Sequence, residues 1–199
     1  MRRFMIMGAV AAAVVAVAGL ALVFTLPQPG GEGAAAALPP ANFVLVDQNG
    51  RTVREADLLQ KPTVIFFGYT FCPEACPTTL ARLEVLMKTL GPQAKQLNVA
   101  FVTIDPARDT PGQLKQYLAA FDPRFIGLTG SQAAVDKAAK EYGVFYQKEP
   151  LPGGGYSMDH STAVYLVDRK RGFSEILAPD QAQADQLDAL KRLLGARSA

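Results

Sequence analysis

The sequence predicts an α/β fold in which helices cover both faces of a central sheet, a three-layer sandwich. Two runs, PTVIFFGY (62–69) and LNVAFVTID (97–105), are rich in β-branched and aromatic residues without polar alternation. Such runs are typical of strands buried on both faces. They alternate with segments whose leucines recur at helical spacing. This alternation of strands and helices favours the three-layer arrangement.

The first predicted elements are a hairpin, a strand and a long helix. FVLVDQNGRTV (43–53) places an Asn-Gly turn between two short apolar runs, which predicts a β-hairpin ahead of the first buried strand. A helix is expected to begin near Pro77, a favourable first helical position, and to end at Gly91.

The middle of the chain repeats this pattern. After the strand at 97–105, Thr110 is the expected N-cap of a helix with Pro111 in its first turn. FIGLTG (125–130) then predicts a strand, 131–142 a helix and VFYQ (144–147) a further strand.

The last elements follow a glycine-rich segment. EPLPGGGYS (149–157) is predicted to be a loop. Strands are expected at 161–168 and 173–177, joined by a turn, and a final helix over about 180–194 ends at Gly195.

Residues 1–26 form a separate N-terminal segment. Positions 4–26 carry no charge, and about 23 helical residues at about 1.5 Å each cover the roughly 30 Å hydrocarbon core of a bilayer. Arg2 and Arg3 precede this run, so a single-pass anchor would keep its N-terminus in the cytoplasm. The soluble domain would then lie on the outer face of the cytoplasmic membrane. The alternative is a cleaved signal peptide, for which Ala34–Ala37 would supply small residues.

The remaining chain divides into a tether and one domain. Residues 27–40 are rich in Pro, Gly and Ala and predict a flexible linker. Residues 41–199 are long enough for one domain with its own core. The net charge of +2 gives no basic field for nucleic acid, so no nucleic-acid partner is expected.

The only two cysteines form a C-x-x-x-C motif, Cys72 and Cys76. They lie where a strand passes into a helix N-terminus, whose free N–H groups and dipole favour a thiolate. Pro73 and Pro77 stiffen this loop, and Glu74 adds a charge that would help to recruit a cation. An exported pair could form a disulfide, although closing so short a loop stabilises little. A redox dithiol and one half of a metal site both fit these residues.

A metal site needs a further ligand, and the single histidine, His160, is the candidate. It follows a glycine-rich loop and precedes a predicted strand. Two cysteines and one histidine form a soft donor set that suits copper, and zinc accepts the same donors. Copper and zinc both remain open at this point.

Other residues near these motifs have simpler interpretations. Asp105, Arg108 and Asp109 are interpreted as turn and cap residues, with an acidic wall beside a metal or a docking surface as the alternative. Asp159 could support a metal ligand or form a hydrogen bond within its own loop. Met158 is expected to pack in the interior rather than to coordinate a metal through its sulfur. The tyrosines expected in the core are Tyr117, Tyr142 and Tyr146.

Three blocks of sequence resemble the Sco/SenC family of copper-binding proteins that assemble cytochrome c oxidase. They are FGYTFCPEACPTTL (67–80), TIDPARDTP (103–111) and DHSTAVYLVD (159–168), and the likeness extends from about residue 43 to 194. The resemblance implies a thioredoxin-like fold with an additional N-terminal β-hairpin and one transmembrane anchor. It also implies copper as the bound metal, with Cys72, Cys76 and His160 as the ligands.

The resemblance implies a copper metallochaperone that serves the Cu_A centre of oxidase subunit II. The expected partners are subunit II or another copper protein, with a copper donor or a thiol reductant protein as further possibilities. The alternative is a thiol–disulfide oxidoreductase that reduces the subunit II cysteines before metallation. The C-x-x-x-C spacing disfavours it, as does a histidine in MDHS where such reductases carry a proline. A copper or redox sensor is a third possibility that no particular residue supports.

Overall fold

The computed structural model describes residues 43–168, 170 and 173–195. Its strands are β1 (Val44–Asp47), β2 (Thr52–Arg54), β3 (Thr63–Gly68), β4 (Asn98–Thr103), β5 (Phe125–Thr129), β6 (Tyr146–Pro150), β7 (Tyr156–His160), β8 (Val164–Asp168) and β9 (Phe173–Leu177). Its helices are α1 (Glu55–Leu58), α2 (Ala75–Leu90), α3 (Pro111–Leu118), α4 (Gln132–Glu141) and α5 (Gln183–Leu193), and a 3₁₀ helix (Gly91–Gln96) follows α2.

The strands form a seven-stranded mixed sheet and a separate hairpin. The order in the large sheet is β2-β1-β5-β4-β3-β8-β9, and among the described residues β6 pairs only with β7. Strands β3, β4 and β5 are parallel, whereas β1 and β8 run antiparallel to their neighbours β5 and β3. Gly68 pairs with Thr103, so β3 and β4 end at the same edge of the sheet.

Helices cover both faces of this sheet. Phe66, Phe101 and Gly127 are register neighbours on one face, and a Cβ at Gly127 would meet Leu114 and Leu118 of α3. On the opposite face, the rings of Phe67 and Tyr165 pack 5.6 and 5.4 Å from the ring of Tyr142, which follows α4. The predicted three-layer α/β sandwich is therefore confirmed.

Several local predictions are also confirmed. The N-terminal hairpin forms with Val46 opposite Thr52, and β3 is buried along its whole length. The Thr110 hydroxyl accepts a hydrogen bond from the N–H of Gln113 at 3.2 Å, which is the geometry of an N-cap. Ser131 caps α4 in the same way.

Five predicted boundaries were wrong, and two of them are strand limits: β6 spans Tyr146–Pro150 rather than 144–147, and β8 begins at Val164 rather than at 161. Helix α2 begins at Ala75 rather than near Pro77, because proline is tolerated throughout a first turn, where N–H groups lack helical acceptors. Helix α5 begins at Gln183, since a turn in which the N–H of Gln181 donates to the carbonyl of Ala178 precedes it. The predicted loop at 149–157 forms only over 151–155, since its two ends belong to β6 and β7. Pro150 is accommodated because β6 is an edge strand.

The N-terminal predictions lie outside the described residues. These are the membrane anchor at 1–26 and the linker at 27–40. Among the helices that the structure does describe, none combines the length and the apolar character needed to cross a bilayer.

Candidate metal centre

The two cysteines lie at the edge where the parallel strands β3 and β4 end. The N–H of Cys72 donates to the carbonyl of Tyr69 at 3.2 Å, which turns the chain back after β3. The N–H of Cys76, in the first turn of α2, donates to Cys72 Sγ at 3.3 Å. The Cys72 sulfur thus acts as an acceptor at a helix N-terminus, where negative charge is favoured.

His160 reaches this pair from a distant part of the chain. It is the last residue of β7, and its Nε2 lies 3.5 Å from Cys76 Sγ across a sequence separation of 84 residues. The two sulfurs and one ring nitrogen all lie within 4.8 Å of one another. The structure therefore brings together all three residues that the sequence singled out.

The hydrogen bonding of His160 prepares its ring to act as a ligand. Its Nδ1 lies 2.8 Å from the carbonyl oxygen of Ser161, which can only accept, so Nδ1 carries the hydrogen. In the neutral ring, Nε2 then presents a lone pair toward the sulfurs. A ring N–H bound to a backbone carbonyl is the usual arrangement behind a metal-ligating histidine.

The two thiols have opposite electrostatic environments. A hydrogen bond from the Cys76 thiol holds the pKa of Cys72 well below its usual range, with further contributions from the backbone N–H groups of Cys76 and Glu74. The same hydrogen bond and burial raise the pKa of Cys76. Cys72 is partly exposed and Cys76 is fully buried. The pair accordingly combines a partly exposed thiol of lowered pKa with a buried thiol of raised pKa.

Aromatic side chains and a glycine define the walls of the site. The His160 ring packs edge-on against Tyr69, with centroids 5.8 Å apart, and 6.5 Å from the Phe66 ring. The Tyr69 hydroxyl accepts a hydrogen bond from the N–H of Met158 at 3.3 Å. A Cβ at Gly68 would lie only 2.7 Å from Cys76 Sγ, so the absence of a side chain makes room for the sulfur.

The acidic and basic residues of 105–109 do more than the predicted turn and cap roles. Backbone turns do form there, because the N–H groups of Arg108 and Asp109 donate to the carbonyl of Asp105. The carboxylates of Asp105 and Asp109 are nevertheless buried. Asp109 accepts hydrogen bonds from Thr103 and Thr70, and Arg108 and Tyr156 bind Asp105. The interpretation from sequence was therefore incomplete.

The remaining candidates divide between core and surface. Met158 is buried, as expected for a packing residue, while Asp159 is exposed. Tyr142 is buried, Tyr117 packs against the core, and Tyr146 packs only partly because its hydroxyl binds Asp136.

Sequence reasoning missed Gly68, Tyr69 and Tyr156 as parts of this site. Gly68 and Tyr69 stand in the same block as the cysteines, so their proximity to Cys72 was the available signal. Nothing in the sequence pattern indicated Tyr156, because its contacts depend on how the β6–β7 hairpin folds back.

The fold and site define a class: an α/β sandwich with a Cys₂His cluster at the carboxyl edge of its parallel strands. The family model for SCO1/SenC matches residues 32–195, and the chain belongs to that family. Protein SenC of Rhodobacter capsulatus is 34% identical over 181 residues, covering 86% of this chain and 82% of SenC.

Solved structures agree with this assignment. ScoI of Bradyrhizobium japonicum with copper bound is 40% identical with a TM-score of 0.70, covering 76% of this chain and 96% of that one. Yeast Sco1 with copper bound is 34% identical with a TM-score of 0.72, covering 81% and 91%. These matches support the thioredoxin-like fold, and they make the Cys72, Cys76 and His160 cluster a candidate copper site.

Proposed function

We propose that this chain is a copper metallochaperone that delivers copper to the Cu_A centre of cytochrome c oxidase subunit II during oxidase assembly. The observation that carries the proposal is the meeting of two sulfurs and one imidazole nitrogen within 4.8 Å. Thiolates favour Cu(I), and the added imidazole suits Cu(II). Zinc accepts the same donors, and the copper-bound relatives favour copper.

The proposal assigns a role to each ligand. Cys72 is the more exposed and more acidic thiol, so it is the first donor to meet incoming copper. Cys76 loses its proton on binding, because only a thiolate coordinates the metal. His160 offers Nε2 with its hydrogen already placed on Nδ1. Residues 1–26 would anchor the chain, and residues 27–40 would tether the domain near the outer membrane face.

An anaerobic copper titration followed by a transfer assay tests this function. The reduced soluble domain is titrated with Cu(I) and Cu(II), and His160→Ala is compared with the wild type. We expect Cu(II) affinity and its thiolate absorption to fall in the variant, with Cu(I) affinity less affected. The loaded domain is then mixed with the soluble domain of subunit II. Copper that stays on the donor at equilibrium would contradict delivery to Cu_A.

A thiol–disulfide oxidoreductase is the second candidate, and the asymmetry of the thiols favours it. An accessible acidic thiol beside a buried one suits nucleophilic attack followed by resolution. The Cys72 thiolate would attack a client disulfide and form a mixed disulfide while releasing one client thiolate. Cys76 would then give up its proton and attack the Cys72 sulfur, releasing the second client sulfur as a thiol and leaving a Cys72–Cys76 disulfide.

The two functions predict different results for Cys76→Ser. A reductase with this variant accumulates a mixed disulfide between Cys72 and oxidised subunit II, visible by non-reducing electrophoresis. Cys72→Ser is the matched control and forms none. The phenotype of a deletion strain adds an independent criterion, because rescue of oxidase by added copper indicates delivery rather than thiol chemistry.

A further inference from the structure

The strand that carries His160 is not part of the large sheet. In the part of the chain that the structure describes, β7 pairs only with β6, and almost all of β6 is exposed. An isolated two-stranded hairpin is marginally stable in water. The position of the imidazole relative to the sulfurs therefore depends on the contacts that fix this hairpin to the rest of the domain.

Arg108 makes several of these contacts from the loop after β4. Its Nη1 donates to the carbonyl oxygen of Tyr156 at 2.9 Å, and its guanidinium carbon lies 3.7 Å from the centroid of the Tyr156 ring. Asp105 completes the contact, since its carboxylate pairs with Arg108 Nε and accepts from the Tyr156 hydroxyl at 2.9 Å. One arginine and one aspartate thus hold both the backbone and the side chain of the first residue of β7.

The same guanidinium also contacts the loop that carries the cysteines. Its carbon lies 4.8 Å from the ring centroid of Phe71 and 5.6 Å from that of Tyr69. Phe71 precedes Cys72 directly, and the Tyr69 ring packs edge-on against His160. Arg108 therefore lies between the two halves of the candidate site, the thiol loop and the histidine hairpin.

We propose that Arg108 is a positioning residue: with Asp105, it holds the β6–β7 hairpin against the thiol loop and so sets how tightly the site binds Cu(II). The inference about copper rests on the proposed function. Cu(I) is satisfied by the two sulfurs, whereas Cu(II) needs the imidazole. Loss of the Arg108 contacts should weaken Cu(II) binding more than Cu(I) binding, because the thiol loop keeps its own hydrogen bonds to the carbonyl of Tyr69 and the carboxylate of Asp109.

The test compares Arg108→Gln with Arg124→Gln, a control whose guanidinium pairs with Asp122 and makes no contact with the hairpin in the described part of the chain. Hydrogen exchange of the reduced, metal-free domain is measured first. We expect the Met158 amide to exchange about tenfold faster in Arg108→Gln and unchanged in the control. Tyr156→Phe removes only the hydrogen bond from the Tyr156 hydroxyl to Asp105, so it should speed exchange of the Met158 amide by a smaller factor. This variant replaces Arg108→Gln in the experiment if Arg108→Gln does not fold.

Copper affinities provide the second readout. We expect Cu(II) affinity to fall about tenfold in Arg108→Gln, the scale typical of residues that orient a metal ligand, with Cu(I) affinity within about threefold of wild type. Equal losses for both ions, or unchanged exchange at Met158, would overturn the proposal. If the wild type binds no copper, the proposed function fails, and hydrogen exchange alone decides whether Arg108 holds the hairpin.

Discussion

Gly68 is the residue on which the position of the Cys76 sulfur depends. A Cβ at this position would lie 2.7 Å from Cys76 Sγ and 2.8 Å from a ring carbon of Phe101, and both side chains are fully buried. Real Cβ atoms essentially never approach other atoms this closely. Since neither neighbour has solvent beside it, the sulfur would have to move. The constraint is space rather than backbone conformation.

Gly68→Ala should therefore impair the site as well as the fold. We expect the free energy of unfolding to fall by about 1–3 kcal/mol, as for other overpacked cores. We also expect Cu(I) affinity to fall, because Cys76 can no longer reach its position opposite Cys72. Urea denaturation and competition with a Cu(I) chelator measure the two effects.

Gly127→Ala is the matched control for crowding without displacement of a ligand. Its Cβ would lie 2.7 Å from Cδ1 of Leu118 and 3.2 Å from Cβ of Leu114, in the core beneath α3. This variant should lose stability while Cu(I) affinity stays at the wild-type value. Equal losses of Cu(I) affinity in both alanine variants would mean that general destabilisation explains the Gly68 effect.

At the scale of elements, Asp109 joins the thiol loop to the end of β4. Its fully buried carboxylate accepts hydrogen bonds from the N–H and hydroxyl of Thr70 at 3.0 and 2.6 Å, and from the hydroxyl of Thr103 at 2.6 Å. Burial nevertheless raises the pKa of Asp109 above its ordinary value of 3.8, against the lowering effect of these donors. The folded state thus keeps a proton on this group at a higher pH than the unfolded state does.

This shift predicts the sign of a pH effect. A raised acid pKa adds stability that is fully present below about pH 3.8 and is lost as the pH rises through the folded-state pKa. The difference in unfolding free energy, wild type minus Asp109→Asn, should therefore be larger at low pH than at pH 7. Urea denaturation at several pH values measures it.

Asp122→Asn provides a control of opposite sign. A hydrogen bond from Arg124 lowers the pKa of Asp122, so its contribution to stability is present above the unfolded-state pKa and lost in acid. The difference in unfolding free energy, wild type minus Asp122→Asn, should therefore increase as the pH rises. If the stability difference followed the same pH trend for both variants, the trend seen with Asp109→Asn would not come from the titration of Asp109.

The sequence predicts the central elements well and the histidine hairpin poorly. Strands β3 and β4 are buried on both faces, so their apolar runs carry a local signal that needs no knowledge of their partners. The β6–β7 hairpin has exposed residues, a proline and three consecutive glycines with positive φ, Gly153, Gly154 and Gly155. Its position in the domain depends on contacts with Arg108 and Tyr69 that no local pattern contains.

The ligand candidates were predictable for a different reason. A chain with two cysteines and one histidine offers few possible soft donor sets, and the blocks around them match a known family. The residues that support the ligands were not predictable. Glycine, arginine, aspartate and tyrosine are common, so the roles of Gly68 and Arg108 depend on which segments meet in the fold.

For the whole molecule, a metal at this site would link segments that are far apart in sequence. Cys76 lies in the first turn of α2, and His160 ends a hairpin 84 residues later. A ligand that binds only the folded state stabilises it by mass action, about 4 kcal/mol at a free concentration about 1,000 times its Kd. For a domain of this size that corresponds to a rise in Tm of about 10 °C.

Copper should therefore raise the Tm of the reduced domain and leave the oxidised domain unchanged, since a Cys72–Cys76 disulfide removes both thiolates. Calorimetry with buffered Cu(I), with and without prior oxidation, measures this difference.

Cys72→Ser should abolish the rise in Tm caused by copper, because a single sulfur binds Cu(I) weakly. His160→Ala should keep most of the Cu(I) shift and lose the Cu(II) shift, since only Cu(II) requires the imidazole. A copper shift that survives oxidation would place the metal elsewhere and separate the thiol loop from copper binding altogether.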